Sequence, residues 1–568
     1  VIKRISIGYQ EYDELITNGL FYIDKTRFIK EWWESGDKVT LIARPRRFGK
    51  TLTMSMTAQF FSLEFKGRSD LFQDMDIWKE QEYRSLQGTY PVIALSFSDI
   101  KETSYTQARK KIGELIVDQY NKHDYLADGN ILNEREKEYF HSISSDMEDF
   151  EISISIRRLS SYLYKYYHKK VIILLDEYDT PMQESYVSGY WEDLTFFTRN
   201  LFNATFKNNP YLERAIMTGI TRISKESIFS DLNNLKVITA TSNEYADCFG
   251  FTEDEVFESL RTYGLTDMKE EVRLWYDGFS FGKVQGIYDP WSIINFLDKG
   301  EVGPYWTNTS SNNLAGNLIR QGSRQIKETF EILLSGESIT TEINEQIVYE
   351  QLNIDESAIW SLLLASGYLK VRKCLIQKDF MMDWRQLYEL EITNLEVMIM
   401  FRGLVRDWFA SSASNYNDFI KAMLQDDIKA MNVYMNRVSI TTFSFFDTGK
   451  KPSAESEPER FYHGFVLGLI VELEDRYTVA SNRESGFGRY DVMLEPKEHT
   501  DDAIIMEFKV QDVNDEKTLN DTVQSALDQI ELKEYSAYLI ARGIPQDRIR
   551  KYGFAFHGKN VLIGSKRE

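Results

Sequence analysis

The feature that most restricts this fold is a set of five short aliphatic runs: KVTLIAR at 38–44, PVIALSF at 91–97, KVIILLD at 170–176, ERAIMTG at 213–219 and KVITATS at 236–242. Each is apolar at almost every position, not at every second one, and each is followed by polar or helical sequence. Neighbouring side chains on a strand point to opposite faces, so a continuous apolar run reads as a strand buried on both. Strands of that kind belong to a parallel sheet covered by helices, and the first half of the chain is expected to be α/β. At 568 residues the chain exceeds one core, and roughly two to four domains are expected.

The first run leads into LIARPRRFGKTLT at 41–53, which contains Gly49-Lys50-Thr51. The pattern GxxxxGK[ST] wants a glycine five positions before Gly49, and this chain has Arg44 there. Pro45 can fix a turn in its place, and Gly49 lets the backbone approach a ligand. A helix opening at this point offers its N–H groups to phosphate. Lys50 is expected to reach the β- and γ-phosphates and Thr51 to hold Mg²⁺. Arg46, Arg47, Phe48, Gly49, Lys50, Thr51 and Leu52 form the expected cofactor-binding run, with Arg46 and Arg47 adding charge. A lone GKT also arises by chance.

A partner motif strengthens the reading. VIILLDEYDTPM at 171–182 is an apolar strand ending in Asp176-Glu177. Asp176 is expected to hold Mg²⁺ through water and Glu177 to polarise the attacking water, as in additional-strand P-loop ATPases. A helix cap after a buried strand is the bland alternative. In AIMTGITRISKES at 215–227, Thr218 stands where a γ-phosphate sensor is expected. Arg222 reads as a charge stabiliser or as a surface salt bridge, and Asp179 is a further carboxylate without an assigned role. No NKxD-like guanine reader is present, so ATP is the expected nucleotide.

From about 252 to 446 the pattern is mostly helical. Thr252 with Glu255, and Thr393 with Glu396, have the spacing of capping boxes. IWSLLLASGYLKV at 359–371 and QLYELEITNLEVMIMF at 386–401 read as helix, strand, strand, helix, a winged-helix-like order. DTGKKPSAESEPER at 447–460 reads as a linker. The expected division is 1–250, a P-loop (additional-strand type) ATPase domain; 251–446, a helical lid with a winged-helix-like region; 447–458, the linker; and 459–568, a second α/β domain.

That last domain carries ESGFGRYDVMLEPKEHTDDAIIMEFKV at 484–510. RYDVMLE and AIIMEFKV read as strands about a polar turn. A hairpin centred near His499 sets Asp491 opposite Glu507, with Cβ atoms about 4.5–5.5 Å apart. Lys509, two residues on, shares the face of Glu507. Two carboxylates so close repel unless a cation lies between them. Asp491 and Glu507 as metal ligands, with Lys509 orienting water or stabilising charge, make a Mg²⁺-dependent phosphodiesterase site. Glu472 and Glu484 are additional acidic candidates. In the following LNDTVQSALDQIELKEY, Leu519, Val523, Ala526 and Ile530 form an apolar stripe that suits packing on the sheet.

Several stretches taken together resemble a family. LFYIDKTRFIKEW (20–32), RPRRFGKTLTMSM (44–56), LLDEYDTPM (174–182), ESIFSDLNNL (226–235), FGFTEDEV (249–256), WYDGFSFG (275–282) and YDPWSIINFL (288–297) are similar to bacterial AAA-ATPase-like proteins with a C-terminal PD-(D/E)XK nuclease domain. The resemblance covers about the first 300 residues and the C-terminal domain. It implies that the arginine-rich loop is ordinary for such chains, and that Asp491, Glu507 and Lys509 are the D, E and K of the motif, with Tyr490 in place of its proline. Gln529 and Lys533 resemble polar positions on the helix that follows.

The expected activity is an ATPase coupled to nuclease action, with Glu177, Asp491, Glu507 and Lys509 catalytic and ATP and Mg²⁺ as cofactors. Nucleic acid, DNA or RNA, is the expected partner, and a homo-oligomer stays open. A signalling or assembly switch whose last domain only binds, or a motor without cleavage, are the alternatives. A net charge of -21 excludes bulk electrostatic coating of nucleic acid or anionic membrane, but not a local basic groove. Cys248 and Cys374 form no CxxC, the six histidines form no HExxH, and there is no apolar run of 18 residues and no signal pattern. A cytoplasmic protein is expected.

Overall fold

The computed structural model describes residues 2–222, 228–229, 232–309, 313–344, 356–378, 384–410, 413–446, 457–483, 489–498, 500–566. These form two compact units. One comprises Val1–Thr309 and Thr340–Glu396; the other comprises Ser310–Ile339 and Val397–Glu568.

The five aliphatic runs of the first unit are five strands: β1 (Val39–Ala43), β2 (Val92–Ser96), β3 (Val171–Asp176), β4 (Leu212–Gly219) and β5 (Leu235–Ile238). All pair in parallel, in the order β2-β3-β4-β1-β5. Every residue of β1 and β3 is buried, as continuous apolar runs require. Parallel pairing brings all strand C-termini to one edge. Ala43 there lies level with Gly219, and Ile42 with Thr218. Six residues separate β1 from the helix Lys50–Phe61, which buries Met54, Met56, Phe60 and Phe61.

Two small sheets interrupt the helices that follow. One has the order β6-β8-β7, from β6 (Phe251–Thr252), β7 (Phe279–Phe281) and β8 (Val284–Tyr288). The other has the order β10-β11-β9, from β9 (Ile339–Glu342), β10 (Leu369–Lys378) and β11 (Trp384–Ile392). The helix Glu356–Ala365, then β10, β11 and the helix Leu395–Trp408, reproduce the order read from the sequence.

One expected cap forms and one does not. Thr252 accepts from Glu255 N, and Thr252 N donates to the Glu255 carboxylate at 2.8 Å. The Thr393–Glu396 box is a correction. Its helix starts at Leu395, one residue too late for a Thr393 cap. The Thr393 hydroxyl donates to Gly367 O, and Glu396 accepts from Trp306 N at 2.6 Å, Thr307 N at 3.0 Å and the Ser292 hydroxyl at 2.9 Å.

The second unit holds a sheet of β12 (Tyr477–Arg483), β13 (Arg489–Pro496), β14 (Ala503–Val510), β15 (Ile549–His557) and β16 (Asn560–Ser565), in that order. β14 and β15 are parallel and the other pairs antiparallel. Along β14 the faces alternate. Ala503 and Ile505 pack with Val523, Leu527 and Ile530 of the helix Leu519–Leu532. Phe508 meets Tyr462 and Phe465 of the helix Glu457–Leu473 on the other face. The edge of β16 is covered by side chains of the helix Ile428–Phe446: Asn432 exchanges two hydrogen bonds with Ile563, at 2.8 Å each, and Asn436 two with Val561. The linker at 447–456, and Glu484 and His499, lie outside the described residues; Glu457 and Pro458 already belong to a helix.

Candidate functional sites

At the edge of the parallel sheet the loop from Arg44 to Gly49 joins β1 to the helix Lys50–Phe61. Gly49 and Arg47 both adopt left-handed backbone, with φ of 78° and 65°. Glycine takes that conformation freely, whereas it costs arginine about 1–3 kcal/mol. Several contacts hold the loop in this shape. Lys50 Nζ donates back to Arg44 O at 3.0 Å and Pro45 O at 2.7 Å. The Trp306 indole N–H donates to Arg46 O at 3.0 Å. Phe48 is buried against Phe279 and Phe281. The Arg47 guanidinium lies 4.4 Å over the Trp291 ring. Leu52 packs against the core.

Arg44, in the place of the absent glycine, points inward. It is fully buried, donates to Thr239 O at 2.6 Å, and lies 4.3 Å over Phe281. Burial pushes it down to about 10. It is a structural rivet between β1 and the chain after β5, while Arg46 and Arg47 stay at the loop.

Asp176, at the end of β3, gathers the other expected residues. One carboxylate oxygen accepts from the Thr51 hydroxyl at 2.6 Å; the other accepts from the Thr218 hydroxyl and from Glu177 N. Glu177 has φ of 50°, a left-handed conformation that costs a glutamate about 1–3 kcal/mol. Its carboxylate accepts from Thr180. Asp179 has a structural role: it accepts from Ile220 N, Thr221 N and the Thr221 hydroxyl, all within 2.9 Å. Gly219 is required beside it, since a Cβ there would stand 2.6 Å from the Asp179 carboxylate. Burial lowers Lys50's affinity for its proton, opposed by Asp176, Glu177 and Asp179. Arg222 lines a small cleft with Thr239, Thr241, Asn344 and Ser361, and no carboxylate pairs with it among the described residues.

In the second unit Asp491 stands directly opposite Glu507. Glu507 is fully buried, and neither of its oxygens has a hydrogen-bond donor among the described residues. Burial first, then the neighbouring Asp491 carboxyl, hold Glu507 far above the usual carboxylate range. Lys509 shares the face, and its ammonium donates to the Ser525 hydroxyl. Lys533 Nζ is 3.8 Å from Asp491 Oδ2. Gln529 is buried between them along the helix, with its amide nitrogen unpartnered among the described residues. Glu472 is not brought in: its carboxylate faces Arg406 at 3.4 Å.

Residues 6–229 match the family described as a predicted AAA-ATPase, AAA-ATPase-like, and residues 457–566 match the PD-(D/E)XK nuclease superfamily. The chain joins an AAA-ATPase-like domain to a PD-(D/E)XK domain. A relative from Azotobacter chroococcum mcd 1, described as an uncharacterized protein in the vnfD 5' region, is 23% identical over 560 residues, covering 96% of this chain and 95% of that protein. Lys50, Thr51, Asp176, Glu177, Thr218 and Arg222 all fall in the AAA-ATPase-like match; Asp491, Glu507, Lys509, Ser525, Gln529 and Lys533 all fall in the PD-(D/E)XK match. Ser525 was not read from the sequence. Its signal was present, four residues before Gln529 on one helix face. Among the described residues no helix is long and apolar enough to cross a membrane.

Proposed function

We propose that the AAA-ATPase-like domain has a P-loop fold and hydrolyses ATP, and that the PD-(D/E)XK domain is a Mg²⁺-dependent phosphodiesterase acting on nucleic acid. The observation that carries the second half is the buried Asp491–Glu507 pair. Two opposed carboxylates, with no hydrogen-bond donor to either Glu507 oxygen among the described residues, are costly alone and suited to a hard divalent cation. For the first half, β1 lies between β4 and β5 in the sheet, so the loop, Asp176 and Thr218 converge at one edge.

In the ATPase reading, the loop N–H groups and Lys50 hold the phosphates, and Lys50 exchanges its two loop carbonyls for them. Thr51 and Asp176 would hold Mg²⁺. Glu177 orients the attacking water, Thr218 senses the γ-phosphate, and Arg222 offers a cation for the charge that develops.

In the nuclease reading, Asp491 and Glu507 would hold Mg²⁺, which when bound lowers the pKa of water and neutralises phosphate charge. Ser525 fixes the Lys509 ammonium, and Lys509 directs the water at phosphorus. The test is purified full chain with plasmid, single-stranded DNA and RNA, with and without ATP and Mg²⁺. Cleavage that needs Mg²⁺ and is lost in Asp491→Asn supports the reading. ATP turnover without cleavage of any of the three would leave the PD-(D/E)XK domain a binding module.

A further inference from the structure

The wall of the candidate nuclease site is one side of the helix Leu519–Leu532 and its C-cap, Lys533. Ser525, Gln529 and Lys533 are spaced four residues apart, so they stack along one stripe. Ser525 holds Lys509 at one end, and Lys533 stands 3.8 Å from the Asp491 carboxylate at the other. A lysine at a helix C-terminus is ordinary, since it complements the helix dipole, and such lysines usually reach into water. This one is turned instead onto a carboxylate that is 8% exposed in its side chain.

The charges then limit what the site can hold. Asp491 and Glu507 bring two negative charges when ionised, and Lys509 and Lys533 bring two positive ones. The protein part is neutral. One divalent cation leaves two positive charges, which a pentavalent phosphorus bearing two negative charges cancels. A second divalent cation would leave two positive charges in excess, within a few ångströms of an ammonium group and in a largely buried site where charges interact strongly.

We propose that Lys533 takes the part a second divalent cation plays in two-metal phosphodiesterases: Asp491 and Glu507 hold one ion, and the Lys533 ammonium neutralises Asp491 and receives an oxygen of the scissile phosphate. The inference rests on the metal-dependent nuclease reading. Lys533 is a fixed charge, so it needs no loading and sits beside the phosphate from the start. Lys509 is anchored elsewhere on the same helix and keeps the separate task of directing water.

The experiment counts ions. Mn²⁺ bound to the full chain is measured by equilibrium dialysis for the parent, Asp491→Asn and Glu507→Gln. Ions held by the ATPase domain are common to all three, so the difference is the count at the nuclease site. The expected difference is one. In Lys533→Ala the site is expected to admit a second ion, and the Mg²⁺ dependence of cleavage to pass from first to second order, with a rate loss on the order of a hundredfold at low Mg²⁺. Lys533→Arg keeps the charge and is expected to keep the count at one. A difference of two in the parent, or an unchanged count and order in Lys533→Ala, overturns the role of Lys533 and leaves the nuclease reading standing. No difference between the parent and either carboxylate variant overturns both. Far-ultraviolet circular dichroism shows which variants are folded, and two independent carboxylate variants keep the count decisive should one fail to fold.

Discussion

At the scale of single residues, the two sites use lysine differently, and mutation should separate them. Lys50 is buried and bonded to two carbonyls of its own loop. Lys50→Ala is expected to abolish ATP turnover and also to loosen the loop. Two buried carbonyls lose a charged donor, at a cost of about 1–3 kcal/mol. Faster amide exchange confined to 44–52, with turnover gone, is the expected pair of readings. Turnover at the parent rate would mean that this loop is not the nucleotide site. Glu507 supplies a pH dependence. Its folded carboxyl is raised above the ordinary value of 4.5, mainly by burial. A raised acid contributes stability below 4.5 that is lost as pH rises toward its folded value, so the metal-free protein weakens from about pH 5 upward. An ion binding there must displace the proton. Affinity for Mg²⁺ is expected to rise up to about tenfold per pH unit through neutrality, with about one proton released, read by calorimetry in buffers of different ionisation enthalpy. A flat profile would take Glu507 out of the ligand set. The opposition of Asp491 and Glu507 was legible in the sequence because antiparallel pairs share one midpoint. The inward turn of Arg44 was not, because its partner Thr239 lies 195 residues away.

At the scale of elements, the five aliphatic strands were legible within two residues or so at their starts, most plainly β1 and β3, whose burial on both faces leaves nearly every position apolar. The capping boxes mark the limit of local reading. Thr252 and Glu255 satisfy one another, but Glu396 is taken by Ser292, Trp306 and Thr307, partners about 90 to 104 residues away. Burial raises Glu396 to about 7. Its contribution to stability is therefore present below pH 4.5 and lost as pH rises through about 7, a change on the order of 3 kcal/mol. Glu396→Gln is expected to remove that share, so that urea midpoints at pH 5.5 and pH 8 lie closer together than in the parent. An unchanged gap would show that Glu396 is not the group that titrates.

At the scale of the whole molecule, the family matches end at 229 and resume at 457, yet the chain passes between the two units three times, after Thr309, Ile339 and Glu396. Sequence order alone carries no sign of this, because the crossings fall within helical or polar sequence much like its surroundings. It decides where the protein can be cut. A piece of residues 459–568 lacks Asn432 and Asn436, and the backbone of β16 would lose the side chains that pair with it. An uncovered strand edge recruits another chain. That piece is expected to elute from size exclusion as a dimer or larger, and one of residues 397–568 to elute nearer to its monomer mass. Equal behaviour of the two would mean that the asparagine pairs do not guard the edge.

The bond from the Trp306 ring to Arg46 O has an optical consequence. An indole excited by ultraviolet light reports the dipoles around its N–H, and this N–H ends on a carbonyl of the loop expected to close on phosphate. Among the ten tryptophans of the chain, Trp306 is buried and so starts from short-wavelength emission. Addition of ATP is expected to change the emission, and subtraction of a Trp306→Phe spectrum to isolate that change. If the difference spectrum is the same with and without ATP, the loop carbonyl stays where it is when the nucleotide binds. If it moves, the protein carries its own lamp for following each turnover in a stopped-flow cell, with no label attached.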